Sequence, residues 1–220
     1  MSTHQEYVRR LRRLDCCAVS DTLDKLGLPG VVSGVRQESG DGRVAGRVIT
    51  VKLGTGAPPP GEPRHLGTTA IEAGGPDDVI VVEQRTGVEA GSWGGLLALG
   101  AKVKGIAGVV ADGPVRDIDE ARAMDFPVFA AALTARTARG RVVEKGTNVP
   151  IRVWDVDVNA CDYVLADRSA VIFIAAANID RVLEAAEAIV AREARMAKAV
   201  LAGTPMSQVM GGNYEFMLKD

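Results

Sequence analysis

The chain has 220 residues, of which 47% are hydrophobic, 25% charged and 4% aromatic, and its formal net charge is -2. That is apolar material for one well-sized core and no obvious second, so a single domain spanning 1–220 is expected, and the balance of charge carries no basic footprint for nucleic acid. No apolar run approaches the length of a membrane span, and three cysteines, with Cys16 and Cys17 adjacent, form neither a disulfide framework nor a spaced metal-binding set. The expectation is a cytoplasmic protein whose partner is a small molecule or another protein. The opening MSTHQEYVRRLRRLD is charged and lacks an apolar core, so it reads as neither signal peptide nor anchor.

Residues 7–26 place Val8, Leu11, Leu14, Ala18, Leu23 and Leu26 at mixed helical spacing. Two short helices ending at Gly27 follow, with Ser20 placed to cap a second helix from Asp21, where Asp21 and Asp24 suit the positive end of its dipole. From Gly42 the pattern turns to β: RVAGRVITVKL alternates around a glycine, as a strand with a bulge does. GTGAPPPGEPRHLG is then a stiff exposed loop. Its His65 has two readings, a base or ligand on the one hand and a surface or helix-capping residue on the other. Residues 68–73 form a helical turn, and DVIVVE at 78–83 is a buried strand after a Gly-Gly-Pro break.

The organising stretch is 91–130. It reads as a Gly-Gly start, an amphipathic helix through Lys104, a buried strand over 106–111, a charged turn over 112–117, a second helix, and a short strand from Pro127. A polar connection over 134–140 leads to a β-rich segment, 141–158, broken by Pro150. Residues 162–174 give two strands around an Asp-Arg-Ser turn, and 179–201 give the longest helix, stopped by Gly203 and Pro205. Strands in the middle, with helices between them and at the ends, make an α/β chain.

The chemistry-bearing residues lie in the central stretch, at the end of an apolar strand where open α/β folds leave a ligand crevice. At Gly94, Gly95, Leu96 and Leu97 a helix opens on two glycines, so its first amides are unhindered and carry the positive end of the dipole; a carboxylate fits there, and so does the plainer reading of a tight turn or close packing. In Asp112-Gly113-Pro114-Val115-Arg116-Asp117 a sharp turn leaves Arg116 and Asp117 adjacent. Arginine offers a planar fork for carboxylate or carbonyl oxygen, and a lone carboxylate with open neighbours suits magnesium; the alternative is a surface ion pair capping the next helix.

GSWGGLLALGAKVKGIAGVVADGPVRD resembles the signature of the RraA-like family, and AVSDTLDKLGLPGVV, HLGTTAIEAGGPDDVIVV and NACDYVLADRSAVIFI extend the likeness over nearly the whole chain. That family contains 4-hydroxy-4-methyl-2-oxoglutarate / 4-carboxy-4-hydroxy-2-oxoadipate aldolases with oxaloacetate decarboxylase activity, and an RNase E inhibitor. The resemblance implies a single-domain β/β/α sandwich similar to the swivelling phosphohistidine domain, assembled as a homotrimer or homohexamer with sites between subunits. It implies substrate binding by Gly94, Gly95, Leu96 and Leu97 through backbone amides, Arg116 on the oxygens of a 2-oxo acid, and Asp117 as ligand to Mg2+ or Mn2+. Glu193 on the C-terminal helix is the candidate for a glutamate that approaches the metal waters from a neighbouring subunit. The implied function is a metal-dependent carbon-carbon lyase, with a lyase for a bulkier substrate beside Trp93 or a non-catalytic regulator as alternatives; Asp117 favours the enzyme.

The chain also departs from the family pattern. The aldolases commonly carry an acidic residue where this chain has Gly95, so the expectation is that decarboxylation exceeds aldol cleavage and that Gly95→Asp or Gly95→Glu favours the aldol reaction. The usual Pro-Gly-Asp turn is Ala160-Cys161-Asp162 here, and Ala170 stands for a glycine.

Overall fold

The computed structural model describes residues 3–62 and 64–211. Four strands form the parallel centre of a mixed sheet: β3 (Val44–Gly54), β4 (Asp78–Glu83), β5 (Gly108–Val115) and β6 (Val128–Leu133). Each is a nearly continuous apolar run, as strands covered on both faces must be. Antiparallel strands flank this centre. β2 (Arg36–Ser39) pairs with β6, while β10 (Tyr163–Ala166), β11 (Val171–Ile174) and β1 (Val31–Val32) continue from the early half of β3. β7 (Val143–Thr147) pairs with the late half of β3. The sheet is curled, and a separate hairpin of β8 (Ile151–Val153) and β9 (Val156–Val158) packs inside the curl.

Alternation along the strands sorts their side chains into cores. Val48, Val79, Val81, Val110 and Phe129 face the hairpin. Ile49, Val51, Ile80, Val82, Val109 and Ala111 face the other way, toward α3 (Thr68–Ala73), α4 (Gly95–Val103) and α5 (Ile118–Ala123). A third core lies under α1 (Thr3–Leu11), α2 (Cys16–Leu26) and the long α6 (Ile179–Leu201), which cover β10 and β11. Hairpin, sheet and helices thus give the β/β/α sandwich expected from the resemblance. A short α7 (Met206–Val209) follows. Among the described residues no helix is long and apolar enough to cross a membrane.

Two local expectations are corrected. The second N-terminal helix starts at Cys16, not at Asp21: Asp15 is its N-cap, its Oδ1 accepting the Ala18 amide at 2.9 Å, and Ser20 lies within the helix. The charged turn expected over 112–117 is strand as far as Val115, because Pro114 and Val115 pair with Ala132 and Leu133 after a register shift past Ala111. Proline is tolerated at that irregularity. The changed turn at Ala160-Cys161-Asp162 is held by a left-handed residue and an aspartate. Cys161 takes the left-handed φ of 72° that glycine would take more easily, and Asp162 accepts the amides of Asn159 and Ala176 at 2.8 and 2.9 Å.

Candidate active site

The end of β5 is zipped to the segment that enters α4. Ser92 N donates to Pro114 O at 2.7 Å, Ser92 Oγ to the same carbonyl at 2.9 Å, and Arg116 N to Trp93 O at 2.9 Å. This register carries Arg116 and Asp117 against Gly94 and Gly95. Asp117 then turns the chain with φ 55°, a left-handed conformation that aspartate tolerates better than most residues, and stands at the N-cap of α5. Strand end, turn and two helix starts therefore meet at one place, as the sequence suggests.

The glycines there make room for functional side chains. A Cβ on Gly91 would lie 2.8 Å from Arg116 Cγ, and one on Gly94 would lie 2.9 Å from Asp117 Oδ2. A Cβ on Gly95 would lie only 1.7 Å from Glu120 Oε2 and 3.2 Å from Asp117 Cβ. The close-packing reading of this glycine pair holds, and that packing is what brings Arg116, Asp117 and Glu120 to the helix start. Gly95 N donates to Asp117 Oδ2 at 3.2 Å. The Leu96 and Leu97 amides lie in the first turn, where a helix has no carbonyl to offer them.

Arg116 Nε lies 3.1 Å from both oxygens of Asp117. Both side chains are about one-third exposed, so this pair contributes little stability, at most about 1 kcal/mol, and chiefly orients the guanidinium. Its terminal nitrogens bond to no described residue and remain available to a ligand. The cavity in front of them measures about 340 Å³ and is bounded by Gly94, Leu97, Arg116, Asp117 and Glu120, with Trp93 behind. Trp93 is 2% exposed, and its Nε1 has no acceptor among the described residues, which is unusual for a buried indole.

Glu120 is the residue that sequence reasoning missed. It lies one helical turn beyond Asp117, on the same side of α5, so the spacing Arg-Asp-x-x-Glu was the available signal. Of the residues anticipated, Gly94, Gly95, Leu96, Leu97, Arg116 and Asp117 come together in this cavity. Glu193 does not join them within one chain. It is half-buried on α6, and its carboxyl is pushed up by burial and by the charges of Asp15 and Asp21. His65 sits on the rim of the cavity with Nδ1 3.0 Å from Leu66 O. A carbonyl can only accept, so Nδ1 is the donor in this contact.

The donor set can be weighed against the metal that the resemblance implies. Asp117 and Glu120 place two carboxylates beside Gly95, and no group of three or more His, Cys, Asp or Glu side chains poised for a metal occurs among the described residues. Two hard oxygen donors with open surroundings suit a water-rich Mg2+ or Mn2+ and not a closed zinc site.

Comparison with known proteins accords with this geometry. Over 206 residues the chain is 25% identical to protein DlpA of Legionella pneumophila, covering 94% of this chain and 33% of DlpA, so it spans about a third of that relative. It is 27% identical to a putative 4-hydroxy-4-methyl-2-oxoglutarate aldolase of Halalkalibacterium halodurans, covering 83% and 82% of the two chains. The structure of an uncharacterized protein from Pseudomonas syringae pv. tomato superposes with a TM-score of 0.83 at 25% identity, covering 94% and 98%. The family model for RraA-like proteins, described as Aldolase/RraA, matches residues 16–173, which include all of the large sheet but the last residue of β11 as well as Arg116, Asp117 and Glu120, and the chain belongs to the RraA-like family.

Proposed function

We propose that the chain is a divalent-metal-dependent lyase that breaks a carbon-carbon bond in a 2-oxo acid by way of a pyruvate-type enolate. The observation that carries this reading is the meeting of the α4 amides, Arg116, Asp117 and Glu120 around the space left by the missing Cβ of Gly95. The aldolase name of the Halalkalibacterium relative points the same way. The Leu96 and Leu97 amides bind the substrate carboxylate, where the helix dipole favours a negative charge. The free terminal nitrogens of Arg116 hold the 2-oxo oxygen, whose charge grows as the bond beyond C3 breaks. Asp117, with Glu120, would hold Mg2+ or Mn2+, and a bound divalent ion supplies Lewis-acid stabilisation of the enolate. Glu120 is also placed to accept the hydroxyl proton of an aldol substrate.

Glu120 changes one expectation. Gly95 leaves no gap in the proton-transfer half of the site, because the Glu120 carboxylate fills the volume that a side chain at 95 would take. Aldol cleavage is therefore not disfavoured relative to decarboxylation, and Gly95→Asp in the otherwise unchanged chain displaces a carboxylate instead of restoring one. The test is a screen of 2-oxo acids with magnesium or manganese, following pyruvate release. Turnover that persists undiminished in chelator would refute the metal-dependent reading.

We extend the proposal to assembly as a homotrimer or homohexamer. Leu96, Leu99 and Val103 are 84%, 47% and 81% exposed at i, i+3 and i+7 on α4, an apolar stripe next to the site that a second copy would cover. A monomeric mass by light scattering at micromolar concentration would exclude it.

A further inference from the structure

The cavity at the start of α4 does not end at its rim. His65, Leu66, Thr137, Ala138 and Arg139 line it and also line a second cavity of about 430 Å³, enclosed between the proline-rich loop and the segment that leads into β7. Beyond the neck the annex is lined largely by apolar residues such as Pro58, Pro59 and Val142, together with Thr69 of α3. Of the arginines that line the two cavities, Arg64 in the annex is paired with Glu72 at 2.9 Å, whereas the exposed Arg139 guanidinium at the neck takes no partner among the described residues. Glu144, on the annex wall, already accepts the Gly67 amide at 2.7 Å and the Thr147 hydroxyl at 2.6 Å. Glu62 also lines the annex, on the side away from the shared neck.

We propose that the annex is the subsite for the leaving half of the substrate, with Arg139 reading an anionic group at the neck and the apolar walls taking an extension beyond it. The inference rests on the reading of the α4 site as the place where the 2-oxo acid end binds. It narrows the substrate class to 2-oxo acids whose far half carries both an anion and apolar bulk, because an unpaired guanidinium gives planar, two-pronged recognition of a carboxylate, and a cavity of this kind stabilises apolar surface removed from water. A short diacid alone would leave the annex empty.

Binding by calorimetry tests this without reliance on turnover. The probes are pyruvate and two series of 2-oxo acids that end in a phenyl ring after two to four methylenes, one series carrying in addition a carboxylate on the chain between the 2-oxo acid end and the ring. The expected result is that the best carboxylated probe binds the wild type about tenfold tighter than its uncharged counterpart, a difference of roughly 1.4 kcal/mol. Arg139→Gln should erase that preference while Arg139→Lys keeps part of it. Thr69→Trp, which fills the annex, should weaken both long probes at least about tenfold and leave pyruvate binding unchanged. Equal binding of charged and uncharged probes, a preference that survives Arg139→Gln, or long-probe binding indifferent to Thr69→Trp would overturn the proposal. Failure of pyruvate itself to bind would count against the α4 site, a separate outcome, since the two long series still report on the annex.

Discussion

Asp112 and Asp117 lie on one short stretch of chain, and the fold gives them opposite surroundings. Asp112 follows Val110 by two positions, so it shares the face of the sheet that meets the β8–β9 hairpin, and its Oδ1 accepts the Gln84 amide at 2.6 Å. Burial pushes its carboxyl up to about 6, a shift that the Gln84 hydrogen bond opposes and the nearby Glu83 charge reinforces. Asp117 stands past the strand end, flanked by Arg116, the Gly95 amide and Glu120, and faces a cavity. The difference teaches that a perturbed carboxyl is not by itself a mark of the reactive site. Asp112 is perturbed because partial burial outweighs the Gln84 amide that it accepts, where it ties the end of β4 to β5 and lines an open cavity beside Trp154, while Asp117 is surrounded by groups that can hold a ligand in common.

The sharpest break of that comparison is Asp117→Asn against Asp112→Asn. Asparagine keeps the left-handed turn at 117 but loses a charged metal ligand, so metal-dependent pyruvate release should fall by about 10³-fold or more with the fold intact by circular dichroism. Asp112→Asn should retain activity within about threefold, because Asp112 faces the other side of the sheet. Comparable losses in the two variants would remove the distinction.

Next in size is the carboxylate beside Gly95. Glu120→Ala should lower aldol turnover about 10²-fold, and the double variant Gly95→Asp with Glu120→Ala should recover about tenfold of it, since the new side chain enters the volume that Glu120 vacates. Gly95→Asp alone should lower activity. A gain in that single variant would show that Glu120 leaves the space in solution. Gly95→Ala, which puts a Cβ where Glu120 Oε2 now lies, should reduce kcat roughly tenfold by moving that carboxylate, without loss in thermal unfolding, because the exposed Glu120 side chain swings aside and alanine is the better helix former.

The smallest effect concerns stability. The folded-state pKa of Asp112 is raised above its ordinary value of 3.8, so the native state holds that proton more tightly than the unfolded chain does, and stability falls as pH rises from about 4 through about 6. Asp112→Asn keeps an oxygen for the Gln84 amide and removes the ionisation. It should therefore be more stable than wild type at pH 7.5 by on the order of 1 kcal/mol, with the advantage vanishing below about pH 4. Denaturant unfolding at the two pH values measures it, and an advantage that is the same at both would assign the effect to something other than this proton.

Much of the architecture was already fixed by local pattern. α3 (Thr68–Ala73), β4 (Asp78–Glu83) and α6 (Ile179–Leu201) have the bounds that periodicity and stop signals predict, and the central motif places Gly94–Gly95 and Arg116–Asp117 at a strand end. These features depend on neighbours within a few residues, and the amino-acid order states them directly. What the tertiary structure alone decided depends on separations in space. Strand β5 runs through Pro114 because β6 lies alongside to pair with it, and the hairpin fills a curl that no local pattern announces. For Glu120 the sequence offers only the spacing Arg-Asp-x-x-Glu; that its carboxylate occupies the volume of the absent Gly95 Cβ belongs to the tertiary structure, because volume is shared between elements distant in sequence.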